Sequence, residues 1–481
     1  MAAERKARSP AAGADDQALA PPSLQGSLLI RGGAVVRNGA VAVEDVLIRG
    51  ETIAALGDLR GARAGEVMDA SGLLVLPGGV DTHVHLNDVF MGTVSVHDYL
   101  TGTRAAAFGG TTTVVDFSNQ LPGGSLARTL EDKRREAEGK ALVDWGVHPV
   151  ITRPDAATLG EIGEVVAAGA PTIKCYMTYR SDGLLVEDDD LEEIARRLAQ
   201  AGGMLMLHAE DNDAIEANVP RLVGEGKTAP IFHARSKPES VEAGAIRRVV
   251  TMARETGARF FVVHLASAQG LELITRARSE GVDIRAETCT HYLVFTEAML
   301  EREDGIGWIC SPPLRSRATQ ELLWEGVGDG RIEMVTSDDA AYSWEAKLMG
   351  RDRFDLCPNG IPGVEVRLPI LYSEGVAKGR ISLPRFVEIT STTPARLFGL
   401  TPRKGALEVG ADADIVLLDP EERWTMGRET LHMATDWSAY QGIEVKGKIR
   451  KVLSRGEVII DGEVCLGTPG RGRYLHRTLT L

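Results

Sequence analysis

The stretch Pro77-Gly78-Gly79-Val80-Asp81-Thr82-His83-Val84-His85 decides how the rest of the chain is read. It follows the apolar run 73–76 (LLVL) and therefore enters as a buried strand. Side chains alternate faces along a strand, which sets His83 and His85 on one face and turns Val84 into packing. Two imidazoles side by side at a strand end supply the first two ligands of a divalent metal. A hydrogen-bonded histidine pair is the competing reading, and the spacing alone does not separate the two.

Composition narrows the function class. The 481 residues are 43% hydrophobic and 25% charged, with 53 glycines, which suits a large α/β enzyme with many short loops. A net charge of −14 argues against nucleic acid as a partner. No apolar run approaches the ~20 residues of a membrane span. The five cysteines (175, 289, 310, 357 and 465) are odd in number and form no C-x-x-C pair, which points away from a disulfide framework and toward a cytoplasmic location. Residues 1–26, rich in Ala, Pro and Asp, read as a disordered leader with neither a secretory nor a transit pattern.

Texture divides the remainder. Residues 27–76 are short alternating segments broken by Gly, and the same texture returns over 404–464. These halves are expected to complete one small β-sandwich, with residues 77–403 inserted between them and 465–481 left as a tail. The insert alternates strand and helix. TTTVVDF (111–117), LVDWGVHPV (142–150), PTIKCYM (171–177), GMLMLHA (203–209), RFFVVHLA (259–266), VDIRAET (282–288) and RIEMVTSD (331–338) read as strands, and the His83 strand makes eight. Eight alternating β and α units predict a (β/α)8 TIM barrel, whose catalytic residues lie at the C-terminal strand ends. A doubly wound open sheet would usually carry a Gly-rich phosphate loop, and neither common form is present.

The strands carry Lys174, His208, His264 and Asp338 near their ends. A polar residue closing an apolar strand is costly unless it is paired. Singly, each has an ordinary explanation: a satisfied core histidine, a turn aspartate, a salt-bridged lysine. Together with His83 and His85 they converge on one mouth of the barrel. Four His and one Asp suit divalent metal with N/O ligation. Buried beside cations, Lys174 loses its proton more readily, and the neutral amine can take up carbon dioxide as a carbamate (N6-carboxylysine) able to bridge two metals. Two metals about 3.5–4 Å apart acidify a bridging water to hydroxide. Asp338 is then placed to take that proton and return it to a leaving nitrogen.

The motifs PGGVDTHVHL, TIKCYMTY, LHAED, VVHLAS, ETCTHYL, SPPLR, TSDDA and CPNGIPG, in this order, resemble the cyclic amidohydrolases of the dihydropyrimidinase and D-hydantoinase type. The likeness runs from about Ser27 into the C-terminal tail. It implies that His83, His85 and Asp338 hold one metal and His208 and His264 the other, with carboxylated Lys174 between them. It implies zinc, with manganese or cobalt as alternatives. It also implies that Tyr179 hydrogen-bonds the oxyanion, and that Ser311 and Asn359 pair with the ring's amide or imide. The implied reaction opens 5-substituted hydantoins and dihydropyrimidines to N-carbamoyl amino acids, in a homotetramer whose tail reaches a neighbouring subunit.

Three residues depart from the pattern: Asn87 after the histidine pair, Asp339 after the catalytic aspartate, and His291 of ETCTHYL. Asn87 and His291 keep allantoinase or another cyclic amidohydrolase as the alternative activity. Asp339 reads as a turn residue, with repulsion of anionic substrates as the other possibility. Leu86, Phe90, Met91 and Tyr176 are the expected apolar pocket for the ring substituent, against ordinary packing at the barrel mouth. A non-catalytic scaffold is the reading from a different class. Six intact ligand positions weigh against it.

Overall fold

In the computed structural model, which describes residues 26–121 and 123–480, the eight expected barrel strands appear in order. They are β1 (Gly79–Val84), β2 (Thr111–Asn119), β3 (Asp144–Val150), β4 (Thr172–Tyr176), β5 (Met204–His208), β6 (Phe260–Val262), β7 (Ile284–Cys289) and β8 (Met334–Thr336). Each pairs in parallel with the next. The seam between β8 and β1 is closed by a parallel bridge of Val84 with Asp339, where the His85 N–H donates to the Asp339 carbonyl at 2.9 Å. Closure removes both sheet edges and aims all eight strand ends at one mouth. The expected leader over 1–26 lies almost entirely outside the described residues.

The helices cover the barrel for the reasons their sequences suggest. Asp188–Ala201 buries Leu191, Ile194, Ala195 and Leu198, an i, i+3, i+4, i+7 stripe. Three aspartates in its first turn oppose the helix dipole, and Gly202 ends it at φ +77°. Each fully buried aliphatic side chain contributes roughly 1.5–3 kcal/mol. Asp in place of Leu198 would put a charge against the barrel and undo that face.

The two terminal segments form one nine-stranded sheet, and its halves join edge to edge. The joint is the antiparallel pairing of Leu74–Pro77 with Ile415–Thr425, in which Leu74 faces Leu418 and Pro77 faces Ile415. This sheet has its own apolar core, including Ile30, Val46, Ile48, Val75, Leu417 and Leu453. The same short strand leads directly into β1, so the accessory sheet anchors the chain just before the histidine pair.

The C-terminal tail lies against its own barrel. Trp145 N–H donates to the Arg473 carbonyl at 3.0 Å, and Leu475 N–H to the Trp145 carbonyl at 2.7 Å. Arg477 is wholly buried with its guanidinium on the Val147 carbonyl, and Leu479 joins the apolar cluster of Phe117, Met206 and Phe261.

Candidate metal centre and substrate pocket

The six expected ligand residues meet at the mouth. Ring centroids of His83 lie 5.3 Å from His85 and 5.5 Å from His264, and those of His208 and His264 are 4.5 Å apart. Nε2 of His83 and of His85 stand 3.0 and 3.4 Å from one oxygen of Asp338. Ligand atoms of these three residues fall within a span that can hold a metal ion. Lys174 occupies the middle of β4, one pleat deeper than a strand end, with Nζ 4.1 Å from the Phe117 ring centre.

Three of the four histidines are oriented by a carboxylate. Nδ1 of His83 bonds Glu287 on β7. Nδ1 of His85 lies 3.0 Å from Asp88, and Nε2 of His208 lies 2.8 Å from Glu210. Each carboxylate holds a proton on the nitrogen it touches and leaves the other nitrogen's lone pair for a ligand. His264 Nδ1 is buried with no hydrogen-bond partner. The reading of the sequence missed these three carboxylates. Glu210 and Asp88 had a signal, being two and three residues beyond a ligand histidine; Glu287 reaches His83 only through the fold.

Electrostatics point the same way. Burial pushes the Lys174 ammonium down to about 8, against the carboxylates of Asp338, Glu287 and Asp88, which hold it up. Among the described residues no carboxylate lies within ion-pair distance of its Nζ. Burial would raise the Asp338 carboxyl, but His83, His85 and His264 outweigh it and hold it well below the usual range. Burial would likewise lower His85, yet Asp338 and Asp88 lift it to about 9. An orphaned imidazole nitrogen, oriented lone pairs and a carboxylate compressed between histidines fit divalent metal.

The opposite wall is built from loops. A cavity of about 50 Å³ is lined by the metal-facing residues together with Phe90, Tyr176, Tyr179, Ser311, Tyr342 and Asn359. Asn359 Nδ2 donates to the Tyr179 hydroxyl at 3.3 Å, and beyond that contact lies a larger chamber of about 250 Å³. Burial raises the Tyr179 phenol further above its ordinary value, so it stays a donor. Lys237 Nζ donates to Ser311 Oγ at 2.7 Å and to Glu210 at 3.1 Å, which links the pocket wall to His208. The backbone around Ser311 is irregular, and buried side chains satisfy it. Lys347 donates to the carbonyls of Ile309 and Pro358 at 2.9 and 2.8 Å, His233 to that of Cys310 at 2.8 Å, and Tyr292 to that of Pro312 at 2.7 Å.

Backbone strain concentrates here. Of the seven non-glycine residues with left-handed φ among the described residues, Asn87, Met91, Tyr179, His264 and Asp338 surround the mouth. Each costs on the order of 1 kcal/mol and persists because its surroundings hold it.

Phe90 and Tyr176 line the cavity as expected, and Met91 lines the outer chamber. Leu86 does not: it is 1% exposed and packs in the barrel's outer core, because β1 has ended and the chain has turned there. Asn87 points at Glu136. Asp339 is buried on His97 at 2.7 Å and accepts the N–H groups of Gly363 and Val364, so it braces the seam and faces no substrate. His291 is buried outside the cavity lining.

Residues 74–459 match the family model described as Amidohydrolase family. The chain is 38% identical over 453 residues to a D-hydantoinase of Geobacillus stearothermophilus, covering 93% of this chain and 96% of that protein. It is 41% identical over 455 residues to a D-phenylhydantoinase of Escherichia coli O1:K1, covering 94% and 98%. Among solved structures, a dihydropyrimidinase from Brevibacillus agri superposes with a TM-score of 0.92 at 39% identity, over 95% of this chain and all of that one.

Proposed function

Since this chain belongs to the amidohydrolase family, we propose that it hydrolyses the ring amide of cyclic ureides, 5-substituted hydantoins and dihydropyrimidines, to N-carbamoyl amino acids. The observation that carries this reading is the pair His83 and His85, whose Nε2 atoms are turned by Glu287 and Asp88 toward Asp338, in a cavity that His208, held by Glu210, and an unpaired Lys174 also line. His83, His85 and Asp338 would hold one divalent ion and His208 and His264 a second, with Lys174 between them. Bound there, two such ions, zinc first and manganese or cobalt as alternatives, supply an acidified water and a Lewis acid for the ring carbonyl.

The chain's own groups do the rest. With its proton affinity lowered, Lys174 offers a neutral amine; its Nζ forms a bond to the carbon of carbon dioxide and releases a proton, giving a carbamate that would serve both ions as a ligand. Asp338, ionised across the neutral range, accepts the proton of the attacking water and delivers it to the departing ring nitrogen. Tyr179 donates to the carbonyl oxygen as it gains charge. Ser311, held by Lys237, and Asn359 orient the ring.

The allantoinase alternative leaned on Asn87 and His291, and neither side chain lines the cavity. The assembly is proposed as a homotetramer. A reducing cytoplasm suits five unpaired cysteines, and no helix among the described residues is long and apolar enough to cross a membrane. The test is a panel of dihydrouracil, 5-phenylhydantoin, hydantoin, allantoin and dihydroorotate, in bicarbonate with added zinc or manganese. Turnover of the first three that Lys174→Ala abolishes is expected. Turnover of allantoin alone, or of none, overturns the reading.

A further inference from the structure

Two buried side chains beside Asp338 have no part in the proposed reaction. Cys289 closes β7, and His291 lies in the single turn Thr290–Val294 that follows. The Cys289 thiol is wholly buried, and its hydrogen-bond partner is the Thr336 hydroxyl, at 3.6 Å. His291 is 1% exposed, and its ring meets the Ser337 backbone only at marginal hydrogen-bond geometry. A buried imidazole so weakly satisfied keeps a nitrogen lone pair available to a ligand.

Cys289 Sγ, a His291 ring nitrogen and an Asp338 oxygen all lie within 4.8 Å of one another. Donors around a tetrahedral ion at ordinary bond lengths are about 3.5 Å apart, so modest side-chain rotation closes the set. We propose that these three residues form an inhibitory site for thiophilic divalent cations such as cadmium, sharing Asp338 with the catalytic cluster. The other donors around Asp338 are nitrogen and oxygen; this trio adds a sulfur, which soft ions prefer. On binding, a sulfur–metal bond forms, the thiol proton leaves to water, His291 contributes a neutral lone pair, and no electron is transferred. Asp338 lines the cavity, so an arriving ion passes to Cys289 and His291 as this one carboxylate turns away from His83 and His85. Binding stands on the geometry alone. Inhibition rests on the proposed role of Asp338 as ligand and proton carrier.

The test titrates the zinc-loaded, full-length protein with cadmium while following the ultraviolet thiolate-to-cadmium charge-transfer band and the ureide hydrolysis rate. One equivalent per chain is expected to raise the band and inhibit in step. Cys289→Ser should abolish the band, and His291→Gln should weaken cadmium at least tenfold; both should lift inhibition while hydrolysing ureides as the parent does. Cys310→Ser, which removes the thiol lining the cavity, should change neither. A band absent from the parent, kept in Cys289→Ser, or lost in Cys310→Ser overturns the site. Should Cys289→Ser fail to fold, an unchanged cadmium affinity in His291→Gln overturns it instead. A band without inhibition overturns the sharing of Asp338. Because the band is read without substrate, it tests the cadmium site even where the ureide assay fails.

Discussion

The two walls of the cavity are built on different principles. The wall proposed to face the metal takes one or two side chains from each of five strands, β1, β4, β5, β6 and β8, or from within two residues of their ends, and steadies them with carboxylates. The wall proposed to face substrate takes Ser311 and Asn359 from irregular segments whose carbonyls are pinned by Lys347, His233 and Tyr292. The first wall inherits its geometry from the closed sheet. The second depends on a few buried donors, because irregular backbone away from water must find its hydrogen bonds elsewhere. Metal affinity and substrate recognition should therefore be separable by mutation.

Removing Lys174 should have the largest effect. Lys174→Met is expected to lower turnover roughly thousandfold or more, since the bridge proposed between the ions would be lost. The metal-free variant should nevertheless be more stable than the metal-free parent. A lysine at about 8 in the fold and 10.5 unfolded destabilises the fold fully below pH 8. That penalty fades as pH rises toward 10.5, because only the unfolded chain then holds the proton. The gain at pH 7 is on the order of 3 kcal/mol. Urea midpoints of the stripped proteins at pH 7 and pH 10 check it, and an equal difference at both would contradict the assignment.

Glu287→Gln tests the metal wall alone. It keeps an acceptor for His83 and loses the charge, so zinc affinity by chelator competition should fall about 10- to 100-fold, with KM on fully loaded protein nearly unchanged. Lys347→Met tests the other wall. Leaving the Ile309 and Pro358 carbonyls without a donor should raise KM about tenfold and leave zinc affinity alone. If either variant moves both quantities equally, the walls are one unit. Asn87→Gly, which accepts the same left-handed backbone, should change kcat/KM less than about twofold, because the native side chain faces Glu136.

Much of the site is legible in the chain itself. Polar residues closing apolar strands mark His208, His264 and Asp338, and a two-residue period pairs His83 with His85. Leu86 was misplaced because the period holds only while the strand continues, and the chain turns directly after His85. Asp339 looked like a turn residue, and its His97 partner lies 242 residues away. The accessory segments were recognisable as strands, but alternation cannot say whether two half-sheets face one another or meet at an edge.

By itself, then, the sequence determined the eight-fold alternation, the inward face of each ligand strand and the type of chemistry those residues allow, because strand period and side-chain identity are local. Only the tertiary structure decided that Glu287, Asp88 and Glu210 select the histidine nitrogens, that Lys347 holds the substrate wall, and that Cys289 and His291 stand behind Asp338. Glu287 meets His83 across 204 residues and Lys347 meets Ile309 across 38, whereas Asp88 and Glu210 sit within three residues of their histidines. The distant partners are chosen by barrel closure and by the cost of burying a polar group alone, and no spacing in the sequence records those choices.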